Sequence, residues 1–120
     1  MPQADSDVEK QLLLSPPVFH VLIALADGEK HGYAILKEVE ERTGGRVRLS
    51  SGTLYAMIKR LLNDGLIEEI DARPAEDDER RRYYALTVFG RKAAAADAQR
   101  MEDMLAGART KKLIRKPKPA

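Results

Sequence analysis

The chain has 120 residues, 43% of them hydrophobic and 33% charged, and a formal net charge of +2. That mixture excludes a disordered composition and argues for one globular domain. With no cysteine, disulfides and thiolate-bound metals are excluded, and a reducing compartment is compatible. The longest strongly apolar stretch, Val18 to Ala26, is interrupted by His20 and is too short to span a bilayer. No signal-peptide pattern opens the chain. The expectation is a soluble, cytoplasmic protein with no membrane partner.

The charge is sorted along the chain. From Arg46 to Arg60 there are four basic residues and no acid, and from Arg109 onward six basic residues and no acid. Clustering of this kind points to a polyanion more than a small net charge does.

Residues 1–14 read as an N-terminal arm or helix start, polar and then briefly apolar at Leu12, Leu13 and Leu14. Ser15-Pro16-Pro17 is a helix start, a capping serine followed by prolines suited to the first turn. Val18, Leu22, Leu25 and Ala26 then recur at helical spacing until Gly28. A second helix is expected from about Gly32 to Thr43, with Ile35, Leu36 and Val39 inward, closed by Gly44-Gly45. The segment "RVRLS" reads as a short strand or a turn. A third helix starts near Ser51, which is expected to cap it, and buries Leu54, Ile58, Leu61 and Leu62 before Asn63-Asp64-Gly65. "LIEEIDA" and "RRYYALT" read as two strands of a hairpin with the charged tip "RPAEDDERR". An alanine-rich helix follows over residues 88–108, and residues 109–120 form a basic, flexible tail.

Three helices, a hairpin and a long helix make a mostly α fold, a winged helix-turn-helix (residues 15–87) with a C-terminal dimerisation helix. If Leu54, Ile58 and Leu61 of the third helix face inward, Ser51, Gly52, Tyr55, Lys59 and Asn63 face outward, with Thr53 and Ala56 near the edges. A helix of about 12 residues is roughly 18 Å long and fits a DNA major groove about 12 Å wide. Its N-terminus attracts phosphate; Ser51 and Thr53 offer hydroxyls, Gly52 permits close approach, Tyr55 offers a ring and a hydroxyl, and Lys59 a flanking charge. The competing reading is a helix cap with an ordinary solvated face. Arg80, Arg81 and Arg82 at the base of the wing are placed to reach phosphates, or to pair locally with the four acids of Glu76–Glu79.

The last helix carries a thin stripe of Ala94, Ala98, Met101, Met104 and Leu105, which the core of one subunit could absorb but which favours a homodimer, because an isolated helix would leave the larger residues exposed. A two-fold dimer would set two recognition helices about 34 Å apart, matching successive major grooves of a palindromic double-stranded operator. The basic tail either adds attraction to phosphate or solubilises the end.

No residue sits in a nucleophile motif or a phosphate-binding glycine loop, and Glu68 and Glu69 point to opposite faces of a strand, so no enzyme activity is expected. His20 and His31 read as structural, with a cap, a pH-sensitive contact or a ligand role open for His31. Eleven positions apart and without cysteine, the two make a weak metal case, so neither metal nor cofactor is expected. A winged-helix module that binds protein and not DNA shares the same fold.

"HGYAI" at His31–Ile35, "GTLY" at Gly52–Tyr55, "RLLNDGLI" at Arg60–Ile67 and "RRYYALTVFG" at Arg81–Gly90 occur in this order. Together they resemble the PadR family of bacterial transcriptional regulators, over about Pro16 to Gly90. The resemblance implies a winged-helix dimer on operator DNA, usually a repressor relieved by a small effector, with "GTLY" in the recognition helix and the C-terminal helix at the dimer interface. Two departures are Ala56, where the family often has proline, and a C-terminal region with room for a single helix. The resemblance also suggests an effector pocket between the last helix and the body, lined by Leu12–Leu14, Phe19, Phe89 and Met101; small aromatics or no ligand both remain open.

Overall fold

The computed structural model describes residues 14–70 and 82–115. Most of the expected arm, the hairpin tip with Arg80 and Arg81, and residues 116–120 lie outside them. The described elements are α1 (Pro16–Ala24), β1 (Lys30–His31), α2 (Gly32–Arg42), α3 (Ser51–Asn63), β2 (Ile67–Ile70), β3 (Tyr83–Leu86) and α4 (Val88–Thr110).

Local chemistry sets the helix ends. Ser15 caps α1, accepting the Val18 amide, with prolines in its first two positions. His31 caps α2, and Thr87 caps α4 by accepting the Gly90 amide at 2.9 Å. α2 and α3 close in the same way, on glycines with positive φ, Gly44 at 61° and Gly65 at 75°. There the Gly45 amide donates to Glu40 and the Leu66 amide to Leu61, bonds that satisfy carbonyls at the helix ends. α4 ends on the same pattern with Lys112 at φ 63°, and the Leu113 amide donates to Ala108. It thus runs to Thr110, past the expected end at residue 108.

The sheet is antiparallel in the order β1-β3-β2. β2 and β3 form the expected hairpin, with Ile67 opposite Leu86 and Ile70 opposite Tyr83. β1 adds Lys30 opposite Tyr84 and His31 opposite Tyr83, a strand that two residues without alternation cannot announce. "RVRLS" forms no strand. Thr43 holds the turn there, its hydroxyl donating to the Val39 carbonyl at 2.8 Å and accepting the Val47 amide at 3.0 Å.

The core joins Val21 and Leu22 of α1, Leu25 at its C-cap, Ile35 and Val39 of α2, and Leu54, Ile58 and Leu61 of α3 with Leu66, Ile67, Tyr84 and Ala93. The inward stripes read from spacing are the ones that meet. Ala26 is the exception: it lies beyond the end of α1 and is exposed.

Candidate nucleic-acid interface

α3 presents two chemically distinct faces. Leu54, Ile58 and Leu61 are buried, and Ser51, Gly52, Thr53, Tyr55 and Lys59 are exposed. The cap falls one residue earlier than the sequence suggests. Ser50, not Ser51, is extended and accepts the Thr53 amide at 3.1 Å, because a cap must stand outside the helix, three residues before the amide it satisfies. Ser51 is thereby the first helical residue, and its hydroxyl stands on the surface. Ser50 also donates to the Thr53 hydroxyl at 2.9 Å, which leaves Thr53 its own hydrogen to donate. No acid occupies the first turn of α3.

Tyr55 ties α3 to the start of α2. A Cβ built on Gly32 would meet the Tyr55 hydroxyl at 2.6 Å and its ring carbon Cζ at 3.0 Å. The glycine of "HGYAI" therefore makes room for the tyrosine of "GTLY", while Tyr55 remains 47% exposed. Spacing alone could not pair these two residues, 23 positions apart.

The wing stands on β2 and β3. Arg82 is exposed at its base and pairs with Glu69 at 3.2 Å. That contact is solvated and weak, so phosphate can compete for the guanidinium. In the turn between α2 and α3, Arg46 is exposed and Arg48 pairs with Glu40 at 3.3 Å. Arg60 faces Asp64 at 3.9 Å, and no ion pair among the described residues holds Lys59.

Two titrations are displaced near this surface. Lys30 beside Asp27 holds the Asp27 carboxyl below its ordinary value. Burial, and then the charge of Glu69, push the Tyr84 phenol above its ordinary value.

The stripe expected along α4 divides. Ala94 packs against the core, Met101 is half-buried, and Ala98, Met104 and Leu105 are exposed. Asp97 escaped the sequence reading: it is fully buried, with Arg100 Nε donating to its Oδ1 at 3.0 Å and its Oδ2 without a hydrogen-bond partner. Its i,i+3 spacing to Arg100 is the only signal the sequence carries.

Phe19 lines an apolar groove of about 230 Å³ between α1 and α4, with Ile23, Leu86, Ala94 and Ala98. Phe89 packs on the core instead, and Met101 is not among the residues lining the groove. Among the described residues no group of three or more potential ligands could hold a metal ion, and no helix is long and apolar enough to cross a membrane.

Comparison with known proteins agrees with this architecture. The family model described as "Transcriptional regulator PadR-like family" matches residues 21–96. "Transcriptional regulator Rv3488" of Mycobacterium tuberculosis is 38% identical over 85 residues, 71% of this chain and 75% of that protein. An "Uncharacterized 37.1 kDa protein in transposon TN4556" of Streptomyces fradiae is 41% identical over 81 residues, 68% of this chain and only 21% of that protein. The crystal structure of a PadR family transcription regulator from Clostridium difficile R20291 superposes with a TM-score of 0.70 at 25% identity, over 80% of this chain and 97% of that one.

Proposed function

The chain belongs to the PadR-like family of transcriptional regulators, and from that premise we propose that it is a dimeric repressor of a palindromic operator. α3 enters the major groove with Ser51, Gly52, Thr53, Tyr55 and Lys59 against the DNA. The wing lays Arg80, Arg81 and Arg82 along the phosphates. Members of this family regulate transcription and are not enzymes. The observation that carries the reading is the segregation of α3, leucine and isoleucine behind and hydroxyls, Tyr55 and Lys59 in front, at a helix start without acids.

Met104 and Leu105 support the dimer, since both are large, apolar and exposed in the single subunit. A second copy would cover them and set two α3 helices about 34 Å apart. The apolar groove beside Phe19 supports a small apolar effector that loosens α4 from the body.

Selection of bound sequences from random double-stranded DNA tests this directly. The expected product is an inverted repeat with half-sites about one helical turn apart. Binding should weaken steeply with salt, and Lys59→Ala, which removes one phosphate contact from each subunit of the dimer, should reduce the salt slope by about two units. No retention on DNA at low salt, with the protein folded, would overturn the reading.

A further inference from the structure

His31 sits where three elements meet. It is the second residue of β1, opposite Tyr83 of β3, and it is the cap of α2. Its Nδ1 accepts the Ala34 amide at 3.2 Å. Its ring stacks with Tyr33 at 6.4 Å and meets the Tyr83 ring edge-on at 5.5 Å. The next residue, Gly32, leaves the space that the Tyr55 hydroxyl fills. One imidazole thus joins the wing strand, the start of α2 and, one residue on, the proposed recognition helix.

The cap requires a lone pair on Nδ1, so the proton of the neutral ring lies on Nε2. A second proton taken up at Nδ1 removes the acceptor. It sets a donor against the Ala34 amide donor and adds positive charge at the positive end of the helix. Ser15, Ser50 and Thr87, which cap the other described helices, have no such proton to gain. Among the described residues, rings contact the imidazole from Tyr33 of α2 and Tyr83 of β3, and the Tyr55 phenol of α3 lies across the adjoining Gly32. Neighbouring charges are already paired: Lys30 on β1 with Asp27 and Glu38, and Arg82 beside β3 with Glu69.

We propose that His31 is a pH-sensitive positioning residue. Its neutral ring holds α2, the wing strand and Tyr55 in the arrangement that binds the operator, and protonation releases them. The proposal rests on the DNA-binding reading above. Its sign is distinctive: a cation gained near DNA ordinarily strengthens binding, whereas loss of this cap weakens it.

The chain has only two histidines, which makes the test clean. Operator affinity is measured at constant salt from about pH 8 to about pH 5, where histidine ordinarily titrates, for wild type, His31→Asn and His20→Gln. Asparagine caps a helix without titrating. Wild-type affinity should fall on acidification, by at most about tenfold per pH unit for each subunit's proton and so at most about a hundredfold for the dimer. His31→Asn keeps the cap and loses the ring contacts, so its affinity should start lower than wild type at the alkaline end and stay flat with pH, and His20→Gln should follow wild type. In parallel, protection of the Ala34 amide from hydrogen exchange, followed by NMR without DNA, should drop about tenfold on acidification in wild type and not in His31→Asn. Wild-type affinity that is flat or rises on acidification, or an undiminished pH dependence in His31→Asn, overturns the proposal. Failure to bind DNA at any pH overturns the functional reading as well, and Ala34 protection then still shows whether the cap itself titrates.

Discussion

The two halves of α4 share one helix and live in different surroundings. At its root Gly90, Ala93 and Asp97 are buried. A Cβ on Gly90 would lie 1.8 Å from the Leu66 carbonyl oxygen, so closely does the helix approach the body. Thr87 fastens the same joint, donating to the Gly65 carbonyl at 2.6 Å while its backbone amide donates to Leu66 at 3.2 Å. Beyond Asp97 no residue of the helix is fully buried, and Met104 and Leu105 are 56% and 43% exposed. Local bonds hold the tip: Gln99 donates to Asp103 at 3.0 Å, and the turn at Lys112 closes the end. Alanine-rich sequence keeps such a segment helical, but it does not explain large apolar side chains in water. The root is specified by its own subunit; the tip is where the proposed second copy would dock.

Gly90→Ala strikes the root hardest. The methyl group would collide with backbone, which cannot rotate away as a side chain can, so stability should fall by about 3 kcal/mol or more. Urea denaturation measures it, and a wild-type midpoint would mean that this joint does not anchor α4. Met104→Glu combined with Leu105→Glu addresses the tip. Sedimentation should show the dimer dissociation constant raised about a hundredfold or more, with helicity intact. An unchanged dimer would place the interface elsewhere.

Thr87→Ala removes both the cap of α4 and the bond to Gly65, and should lower stability by about 1–2 kcal/mol, largely restored by Thr87→Ser. The smallest effect concerns Tyr84, whose phenol is raised by burial and by Glu69. A raised value in the folded state means its stabilising effect is intact below the ordinary tyrosine value of about 10. That effect is lost as pH climbs through the raised value. Alkaline denaturation should therefore be shallower in Tyr84→Phe, and identical profiles would show that the phenol titrates alike in the folded and unfolded chain.

Much of α3 was legible in advance because its information is periodic. Leu54, Ile58 and Leu61 recur as helical turns demand, and turning them inward leaves Tyr55 and Lys59 outside. The sequence does not separate Ser50 from Ser51 as the cap, because two adjacent serines offer the same chemistry and only the backbone angles choose between them. Spacing makes the α4 stripe one face, yet Ala94 belongs to the core and Leu105 to the surface. Periodicity gives a direction around the helix; it does not say how far along the helix the body extends.

The sequence by itself determined what is decided within a few residues. Ser15 before two prolines starts α1, Gly44 and Gly65 end α2 and α3, and apolar spacing selects the inward faces. The tertiary structure alone decided which distant pieces touch: Tyr55 over Gly32, Gly90 against Leu66, and Lys30–His31 as a third strand beside Tyr83 and Tyr84. Capping and helical periodicity are short-range and leave a local pattern. Close packing depends on the meeting of segments far apart in the chain, and the residue that permits it is often a glycine, which records only the absence of a side chain.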